Sequence, residues 1–418
     1  MTGTAFALAQ PSLPTGPLNL GNFRVGAAPT QSISITNTLV AAGFQEGLDV
    51  NAGALTGTAR IVGAPITNLA ANGNSTAISL GLTALAAGNN TGTAVLNLES
   101  NGAGTSGLAN FVLPASAPIT INATGWNLAS AASVAPVVIT NQRVASFAGA
   151  ALTSAITIAN TAPVAFSERL NATFASTTPD AITNGGSVSQ LIAGGNNTTA
   201  MRVGVDNTLA GARSGTFTVG FVSDGTPVGN SGLGTTALAA VPSVSVSGNV
   251  YQVAQPTVSS TSVNLGNFRA GIAQSQAITI SNPLNNATAA FQEGLNFAPG
   301  TTTGQATIAG SFTNLGAGVP GSTAINVGVT GVAGTNSGTA QITFATNGAG
   351  TSSLGTLALP TQTATINVSG TGWRLALAGT VGPINFGSVL RNSSQERFIT
   401  ISNSAIGDGF SEGLNASF

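Results

Sequence analysis

The sequence of 418 residues contains no cysteine and no histidine, and all ten of its basic residues are arginine. Without histidine, cysteine and lysine, the chain cannot build a Ser-His-Asp triad, a Cys-His nucleophile, a Schiff-base lysine or a P-loop lysine. A zinc site made of imidazole or thiolate ligands is excluded as well. We therefore predict that the chain is not an enzyme, has no catalytic or metal-binding residues and uses no cofactor.

Charge is scarce, because charged residues make up 5% of the chain and the formal net charge is −1. An ordinary soluble domain carries about 25% charged residues. Such a chain offers no basic surface for nucleic acid. The mean hydropathy is positive, at +0.34, yet no apolar run reaches the roughly 18 residues that a membrane-spanning helix needs. We expect neither a nucleic-acid partner nor a membrane span in this chain.

An internal repeat organises the sequence. A Phe-x-Glu motif, an Ile-x-Asn motif and a late aromatic residue each recur at intervals of about 120 residues, far longer than the 20–50 residues of solenoid repeats. Units of this length are autonomous domains. The recurring residues are Phe44, Phe166, Phe291 and Phe410, then Asn37, Asn160, Asn282 and Asn403, and then Trp126, Tyr251 and Trp373.

Short alternating segments within each repeat predict β-strands, as in Thr93–Leu98, Ser243–Ser247 and Thr339–Phe344. Asn-Gly and Asp-Gly pairs between such segments are typical of turns. The fold prediction is all-β, with tandem Ig-like β-sandwich domains, three complete and two partial. The predicted segments are 1–16 (the last strand of a preceding repeat), 17–130 (repeat 1), 131–255 (repeat 2), 256–378 (repeat 3) and 379–418 (a partial repeat 4).

Two interpretations of the partial segments remain open. The chain is a piece of a longer tandem array, or a terminal strand completes the open sandwich of a neighbouring molecule. Under either interpretation, the segment 379–418 taken alone is expected to expose apolar edges. The second interpretation predicts self-association through the incomplete terminal domains.

The opening third of each repeat resembles the bacterial choice-of-anchor D repeats, which are similar to the Ig-like domains of the abnormal-spindle and Hydin group. The resemblance covers all three repeats through short motifs, and repeat 2 departs from it at Thr140. It implies extracellular or surface β-sandwich modules. The motifs are Val263–Gly271, Ala277–Asn282, Leu18–Gly21, Ile384–Gly387, Ser214–Thr216 and Ser337–Thr339.

One arginine and one glutamate recur at matching positions of the repeats, which suggests that they meet. We predict an ion pair that pins the first strand of each repeat to its own Phe-x-Glu turn. The alternative is a row of glutamates that binds a ligand along the array. The candidates are Arg24 with Glu46, Arg143 with Glu168, Arg269 with Glu293, and Arg391 with Glu412.

The recurring aromatic residues are predicted to be buried core anchors, because large rings dominate the energetics of cores. An exposed row that stacks on sugars is the alternative. The predicted anchors are Phe6, Phe44, Trp126, Phe166, Tyr251, Phe291, Trp373 and Phe410. A Glu46–Asp49 carboxylate pair for glycoside hydrolysis has weak support, because only one repeat contains it. A calcium site built from loop carbonyls stays open.

These observations predict a non-catalytic structural or adhesive repeat protein of the bacterial cell surface or exterior, acting as a stalk, assembly or partner-contact module. The alternatives are an adhesin or carbohydrate-binding array, and the non-catalytic part of a larger surface enzyme. The expected partners are a protein or a glycan at the cell surface. No signal or anchor segment is recognised in this sequence.

Overall fold

The computed structural model describes residues 2–239, 243–319 and 323–418. Its regular structure is almost entirely β, which confirms the predicted class of tandem Ig-like β-sandwiches. The segment boundaries given above stay a prediction, and the segments are used below as labels. Two compact units are present, and repeat 2 contributes to both. The first unit comprises Met1–Val137, Thr153–Gly204 and Gly215–Val246, and the second comprises Val138–Leu152, Val205–Ser214 and Ser247–Phe418.

Repeat 1 follows a short strand, β1, in the N-terminal segment. Its strands and β1 lie at Pro11–Ser12 (β1), Leu18–Arg24 (β2), Thr30–Ser32 (β3), Ile35–Asn37 (β4), Gly47–Gly57 (β5), Ala59–Gly63 (β6), Ile66–Leu69 (β7), Asn74–Ser75 (β8), Ile78–Leu82 (β9), Gly88–Asn101 (β10), Phe111–Val112 (β11) and Ile119–Trp126 (β12). The main sheet has the order β2-β12-β10-β5-β7, and β11 pairs with β10. Two smaller sheets have the orders β3-β9-β6 and β1-β4-β8.

Strict alternation along β12 shows which face of the main sheet of repeat 1 is buried. Ile119, Ile121 and Ala123 are buried, whereas the residues between them are half-buried. These side chains join one apolar cluster with residues from the smaller sheets, such as Ile35 and Leu80. One face of each sheet therefore packs against a common core, as in a β-sandwich.

Repeat 2 repeats this pattern with shorter strands. Its elements lie at Val137–Val138 (β13), Gln142–Arg143 (β14), Ala145–Ala148 (α1), Thr153–Ala155 (β15), Ile158–Ala159 (β16), Arg169–Thr177 (β17), Ala181–Thr183 (β18), Ser187–Leu191 (β19), Asn196–Asn197 (β20), Arg202–Val205 (β21), Gly211–Asp224 (β22), Thr235–Ala237 (β23) and Val244–Tyr251 (β24). In the first unit, β17 pairs with β19 and with the second half of β22. In the second unit, β14 pairs with the end of β24.

Repeat 3 lies wholly in the second unit. Its strands lie at Thr257–Val258 (β25), Ser262–Arg269 (β26), Gln274–Ser281 (β27), Gly294–Thr302 (β28), Ala306–Ala309 (β29), Phe312–Leu315 (β30), Thr323–Val329 (β31), Gly334–Asn347 (β32), Thr356–Ala358 (β33) and Ala364–Trp373 (β34), with a 3-10 turn at Ala289–Phe291. The main sheet has the order β26-β34-β32-β28-β30, and a second sheet has the order β25-β27-β31-β29.

The segment 379–418 contains no strand among its described residues. Isolated bridges join Arg374 to Ser411 and Ala378 to Asn403. Its large apolar side chains are exposed, including Leu390 at 83% and Phe398 at 102%. A strand is stable only when its backbone groups and apolar face find partners, and this segment provides neither.

The sandwich core of repeat 1 makes a direct prediction. Replacing Ile121, which is fully buried, by alanine is expected to destabilise repeat 1 by about 2–5 kcal/mol, because it creates a cavity in a packed core. Denaturation followed by hydrogen–deuterium exchange on repeat 1 peptides measures this effect. The matched control Val112→Ala, at a side chain that is 76% exposed, should cost less than about 0.5 kcal/mol. Equal losses for both variants would contradict the core assignment.

Candidate functional site: the junctions between repeats

The strand that carries the recurring arginine, which is β2, β14 or β26, runs parallel to the last strand of the same repeat. In repeat 1, the β2–β12 register sets Arg24 opposite Trp126. The amide of the next residue, Val25, donates to the Trp126 carbonyl at 2.9 Å. The equivalent pairs are Arg143 with Tyr251 and Arg269 with Trp373. Each repeat therefore ends in an arginine beside an aromatic ring.

The chain then enters the next repeat through a pair of backbone hydrogen bonds. Directly after Trp126, the Asn127 amide donates to the Phe166 carbonyl at 2.8 Å, and the Glu168 amide donates to the Asn127 carbonyl at 2.9 Å. The same two-bond pattern holds Gln252 and Arg374 against the next Phe-x-Glu motif. We call these contact regions junction 1 (repeats 1 and 2), junction 2 (repeats 2 and 3) and junction 3 (repeat 3 and segment 379–418).

The recurring aromatic residues meet at these junctions rather than in the sandwich cores. The ring centroids are 5.6 Å apart for Trp126–Phe166, 5.6 Å for Tyr251–Phe291 and 6.0 Å for Trp373–Phe410. A fourth pair, Phe6–Phe44, lies where segment 1–16 meets repeat 1, with its centroids 5.8 Å apart. Tyr251 is buried, but Phe44 and Phe166 are 50% and 37% exposed. The prediction of buried core anchors is therefore wrong for Phe44 and Phe166, because these rings lie at the end of a repeat and not in its core. The remaining five predicted anchors are only partly buried: Phe6, Trp126, Phe291, Trp373 and Phe410.

The recurring arginine and glutamate do meet, but across the junction instead of within one repeat. Arg24 contacts Glu168 of the following repeat, with Nε and Nη2 each 3.3 Å from a carboxylate oxygen. Among the described residues, no ion pair joins Arg24 to Glu46, Arg143 to Glu168 or Arg269 to Glu293. Each of these arginines therefore pairs with the glutamate of the following repeat and not, as predicted, with the glutamate of its own repeat. The reason is that the arginine lies at the end of its sandwich, where the next repeat begins. The other cross-junction pairs are Arg143–Glu293 at 2.9 Å and Arg269–Glu412 at 3.2 Å.

The carboxylate at junction 1 is fully enclosed. The Glu168 side chain has no solvent exposure, and the hydroxyls of Ser223 and Ser231 donate to it at 2.6 and 2.7 Å. Ser223 in turn accepts the Ala129 amide at 2.8 Å, just after the crossing of the chain. A buried carboxylate is tolerated only when it is paired and hydrogen-bonded. Junction 1 meets both conditions with residues from two repeats.

Junction 2 has the same construction. The Glu293 side chain is also fully buried, and it accepts from Thr346 at 2.8 Å and from Ser352. Thr346 accepts the amide of Ala254 at 3.0 Å. The same arrangement occurs at both junctions, which indicates that the paired carboxylate is a regular part of the contact between repeats.

The arginine also holds a loop of the next repeat. Arg24 Nη2 donates to the Gly234 carbonyl at 3.2 Å, and the Asn22 amide group donates to the Ser231 carbonyl at 2.8 Å. At junction 2, Arg143 and Asn141 donate to the carbonyls of Gly355 and Ser352, each at 2.8 Å. An Asn-x-Arg strand end therefore binds one loop at each of these junctions.

The recurring asparagine ties the junction to the interior of the next repeat. Asn160 accepts the Ser130 amide at 3.1 Å and donates to the carbonyls of Glu168 at 3.2 Å and Leu191 at 3.1 Å. Asn282 makes the corresponding bonds to Gln255, Glu293 and Leu315. In the sequence these residues stood out only because they recur at the repeat interval. Their common position shortly before each Phe-x-Glu motif was the feature of the sequence that could have indicated these hydrogen bonds.

Junction 3 is open to solvent. The side chains of Arg269 and Glu412 are 69% and 36% exposed. Arg391, predicted to occupy the arginine position here, is exposed and forms no ion pair with described residues. Sequence reasoning missed the Arg374–Asp408 pair. The Arg374 guanidinium holds the pKa of the Asp408 carboxyl below its ordinary value.

Asp49 has a structural partner that explains why it occurs in only one repeat. Both of its carboxylate oxygens accept from the Asn101 side chain at 3.0 Å. In repeat 2 the two residue types are exchanged, so that Asn171 donates to Asp224 at 2.9 Å. Asp49 therefore belongs to a hydrogen-bonded pair between neighbouring strands. This role accounts for the residue without a hydrolytic pair of Glu46 and Asp49.

The described residues hold no group of three or more acidic, histidine or cysteine side chains arranged for a metal ion. In the part of the chain that the structure describes, no helix is long and apolar enough to cross a membrane. A groove of about 470 Å³ lies in the first unit between Pro11–Pro17 and Ser116–Thr120 and shares no residue with the junctions.

The fold and the junctions define a class, that of tandem Ig-like β-sandwich repeat proteins. No protein-family model matches this sequence. No curated protein matches it either.

The solved structures with similarity to this chain include fragments of cadherins and of titin. Mouse Cadherin-23 EC22-24 is 11% identical, with a TM-score of 0.32 over 88% of this chain and 99% of that one. Protocadherin Gamma B2 extracellular cadherin domains 3-6 give 10% identity and a TM-score of 0.31 over 87% and 73%. An I-band fragment of titin gives 10% identity and a TM-score of 0.26 over 87% and 99%. The assignment of the class depends on the strand pairing of the chain itself.

The buried and exposed junctions predict opposite responses to loss of the arginine. Arg143→Met should destabilise junction 2 by about 3–5 kcal/mol, because it leaves the buried Glu293 carboxylate without its cation. The matched variant Arg269→Met, at the exposed pair, should cost at most about 1 kcal/mol. Chemical denaturation of both variants measures the difference. A double-mutant cycle with Glu293→Gln isolates the pair, and a coupling energy of zero would show that the contact is incidental.

The loop bound by Arg24 predicts a pH dependence. The Thr226 hydroxyl bonds Asp224 and holds the pKa of that carboxyl below its ordinary value, against the opposing effect of burial. A carboxyl with a lowered folded-state pKa stabilises the fold above its unfolded value, about 3.9, and this stabilisation is lost as the pH falls through the folded value. The unfolding midpoint of Asp224→Asn should therefore fall less steeply below about pH 4 than that of the wild type. Parallel curves would refute this role.

Proposed function

We propose that this chain is a non-catalytic structural repeat protein of the cell surface or exterior, in which each domain is fastened to the next through a built junction. The observation that carries the proposal is the buried arginine–glutamate pair, which occurs in the same form at junctions 1 and 2. A chain with 5% charged residues thus places several of them in pairs that join its own domains. The surface location is supported by the sequence resemblance and by the lysine-free, polar composition.

The geometry favours domain connection over ligand binding. The recurring chemical groups of junctions 1 and 2 face one another: the guanidinium contacts a carboxylate and a loop carbonyl, and the rings contact rings. The glutamates at junctions 1 and 2 are fully buried, which removes them from any row that could bind a ligand from solution. A stalk or assembly role uses such contacts directly, because force or partner contact on one domain passes to the next.

Single-molecule pulling on the whole chain tests this role. We expect the wild-type junctions to resist opening until a neighbouring sandwich unfolds, because their charged groups are enclosed. The double variant Arg24→Met/Arg143→Met should show added short extensions at lower force. The control Arg60→Met changes an arginine that bonds the Ala28 carbonyl inside repeat 1 and should leave those steps unchanged.

A glycan array probed with the same chain tests the alternative function, which is carbohydrate binding. Tight binding to one glycan class, retained by the junction variants, would replace the structural role by that of a carbohydrate-binding array. Pulling curves that do not respond to loss of both arginines would contradict the fastening of domains. Absence of glycan binding together with the expected extensions supports the proposal.

A further inference from the structure

Repeat 2 continues from its junction arginine into a longer connection than the other repeats. Residues 144–152 separate Arg143 from β15, whereas residues 25–29 and 270–273 make the same connection in repeats 1 and 3. The helix α1 lies in the longer connection and carries Phe147, and neither shorter connection contains an aromatic residue. Repeat 2 therefore has a ring in this connection that repeats 1 and 3 lack.

Hydrogen bonds to Asn207 fix the position of α1 on repeat 2. The Ala145 amide donates to the Asn207 carbonyl at 2.9 Å, and the Asn207 side chain donates to the Gly149 carbonyl at 3.2 Å. Asn207 is 4% exposed. Gly149 ends the helix with a φ of +77°, a conformation that glycine adopts without strain. The helix is therefore held in place at both of its ends.

The Phe147 side chain reaches across junction 2. It is half-buried, and it packs against the buried apolar cluster that forms the core of repeat 3. The segment that carries it, Val138–Leu152, belongs to the same compact unit as repeat 3. Because this contact removes part of a ring from water, it stabilises the joined state of the two repeats. Junction 2 thus has an apolar contact in addition to the Arg143–Glu293 pair.

Junction 1 instead contains a strained residue. Phe166, whose ring contacts Trp126, has a φ of +52°, which is unfavourable for a bulky side chain. Its counterpart Phe291 lies outside the positive-φ region. The segment from Asn160 to Phe166 is shorter than the equivalent segment from Asn282 to Phe291, so that its backbone has fewer ways to present the ring. The ring contact at junction 1 is therefore made at a conformational cost.

We propose that Phe147 locks junction 2, and that junction 1 opens more readily because it has no equivalent ring and holds Phe166 in a strained conformation. The arginine–glutamate pairs do not account for the difference, since each of the two junctions contains one with a fully buried glutamate. The proposal rests on the structural role proposed above and adds an order to it. In a stalk, this order places the first opening at one defined position, between repeats 1 and 2.

Hydrogen–deuterium exchange of the whole chain at residue resolution tests this order, because equivalent amides form the crossing hydrogen bonds of each junction. The Asn127 and Glu168 amides report on junction 1, and the Gln252 and Glu293 amides report on junction 2. After correction for intrinsic exchange rates, we expect protection at junction 1 to be at least about tenfold lower than at junction 2. Equal protection at the two junctions, or higher protection at junction 1, would overturn the proposal.

The variant Phe147→Ala tests the lock itself. The Gln252 and Glu293 amides should exchange at least about tenfold faster, because the apolar contact with repeat 3 is lost, and the junction 1 amides should not change. Amides within β27, inside repeat 3, should keep their protection, which separates local opening from loss of the sandwich. The matched control Leu152→Ala changes an apolar side chain of the same connection that is 47% exposed and should alter neither junction.

A milder variant keeps the result independent of the folding of Phe147→Ala. Phe147→Leu retains part of the apolar contact and should raise exchange at junction 2 by a smaller factor. Unchanged exchange of the Gln252 and Glu293 amides in both variants would refute the assignment of Phe147. That result would leave the structural role intact, because the structural role is tested by the response of the pulling curves to loss of Arg24 and Arg143.

Discussion

A buried carboxylate that finds its cation in another repeat is the constraint around which the chain is arranged. Glu168 and Glu293 have no solvent exposure, and an isolated charge in such a place is strongly unfavourable. Serine and threonine hydroxyls of the same repeat donate hydrogen bonds to each carboxylate. Arg24 or Arg143 of the preceding repeat supplies the positive charge. The parallel pairing between the arginine-bearing strand and the last strand of the same repeat sets each arginine at the end of the repeat. Sheet register and junction chemistry therefore depend on one another.

Much of the fold could be predicted from the sequence, because alternation and turn residues act locally. The partner of each arginine could not be predicted in the same way. In a tandem repeat every position returns after one period, so spacing alone does not distinguish Glu46 from Glu168 as the partner of Arg24. The same ambiguity affected Phe44 and Phe166, whose recurrence indicated a shared role but not whether that role was inside a sandwich or at its end. The segment 379–418 carries the repeat motifs but contains no strand among its described residues, because a strand forms only where its backbone finds a partner.

The scarcity of charge is matched by reliance on neutral polar groups. Asn37, Asn160 and Asn282 each donate two bonds to backbone carbonyls, so that one amide side chain joins segments distant in sequence. The exchange of Asp49–Asn101 for Asn171–Asp224 shows that the charged member of such a pair can change strand while the contact persists. Two of the buried carboxylates, Glu168 and Glu293, join two repeats through an arginine, which fits the proposed structural role.

The two ends of a repeat are unlike, since one presents an arginine and a ring while the other presents a glutamate and hydroxyls. Contacts between unlike surfaces are heterologous, and they continue without limit unless rotation closes them into a ring. Repeats of this kind thus carry a polarity, like monomers with distinct head and tail groups. Gene duplication could lengthen such an array without inventing a new interface, because every added copy arrives with both halves of the contact.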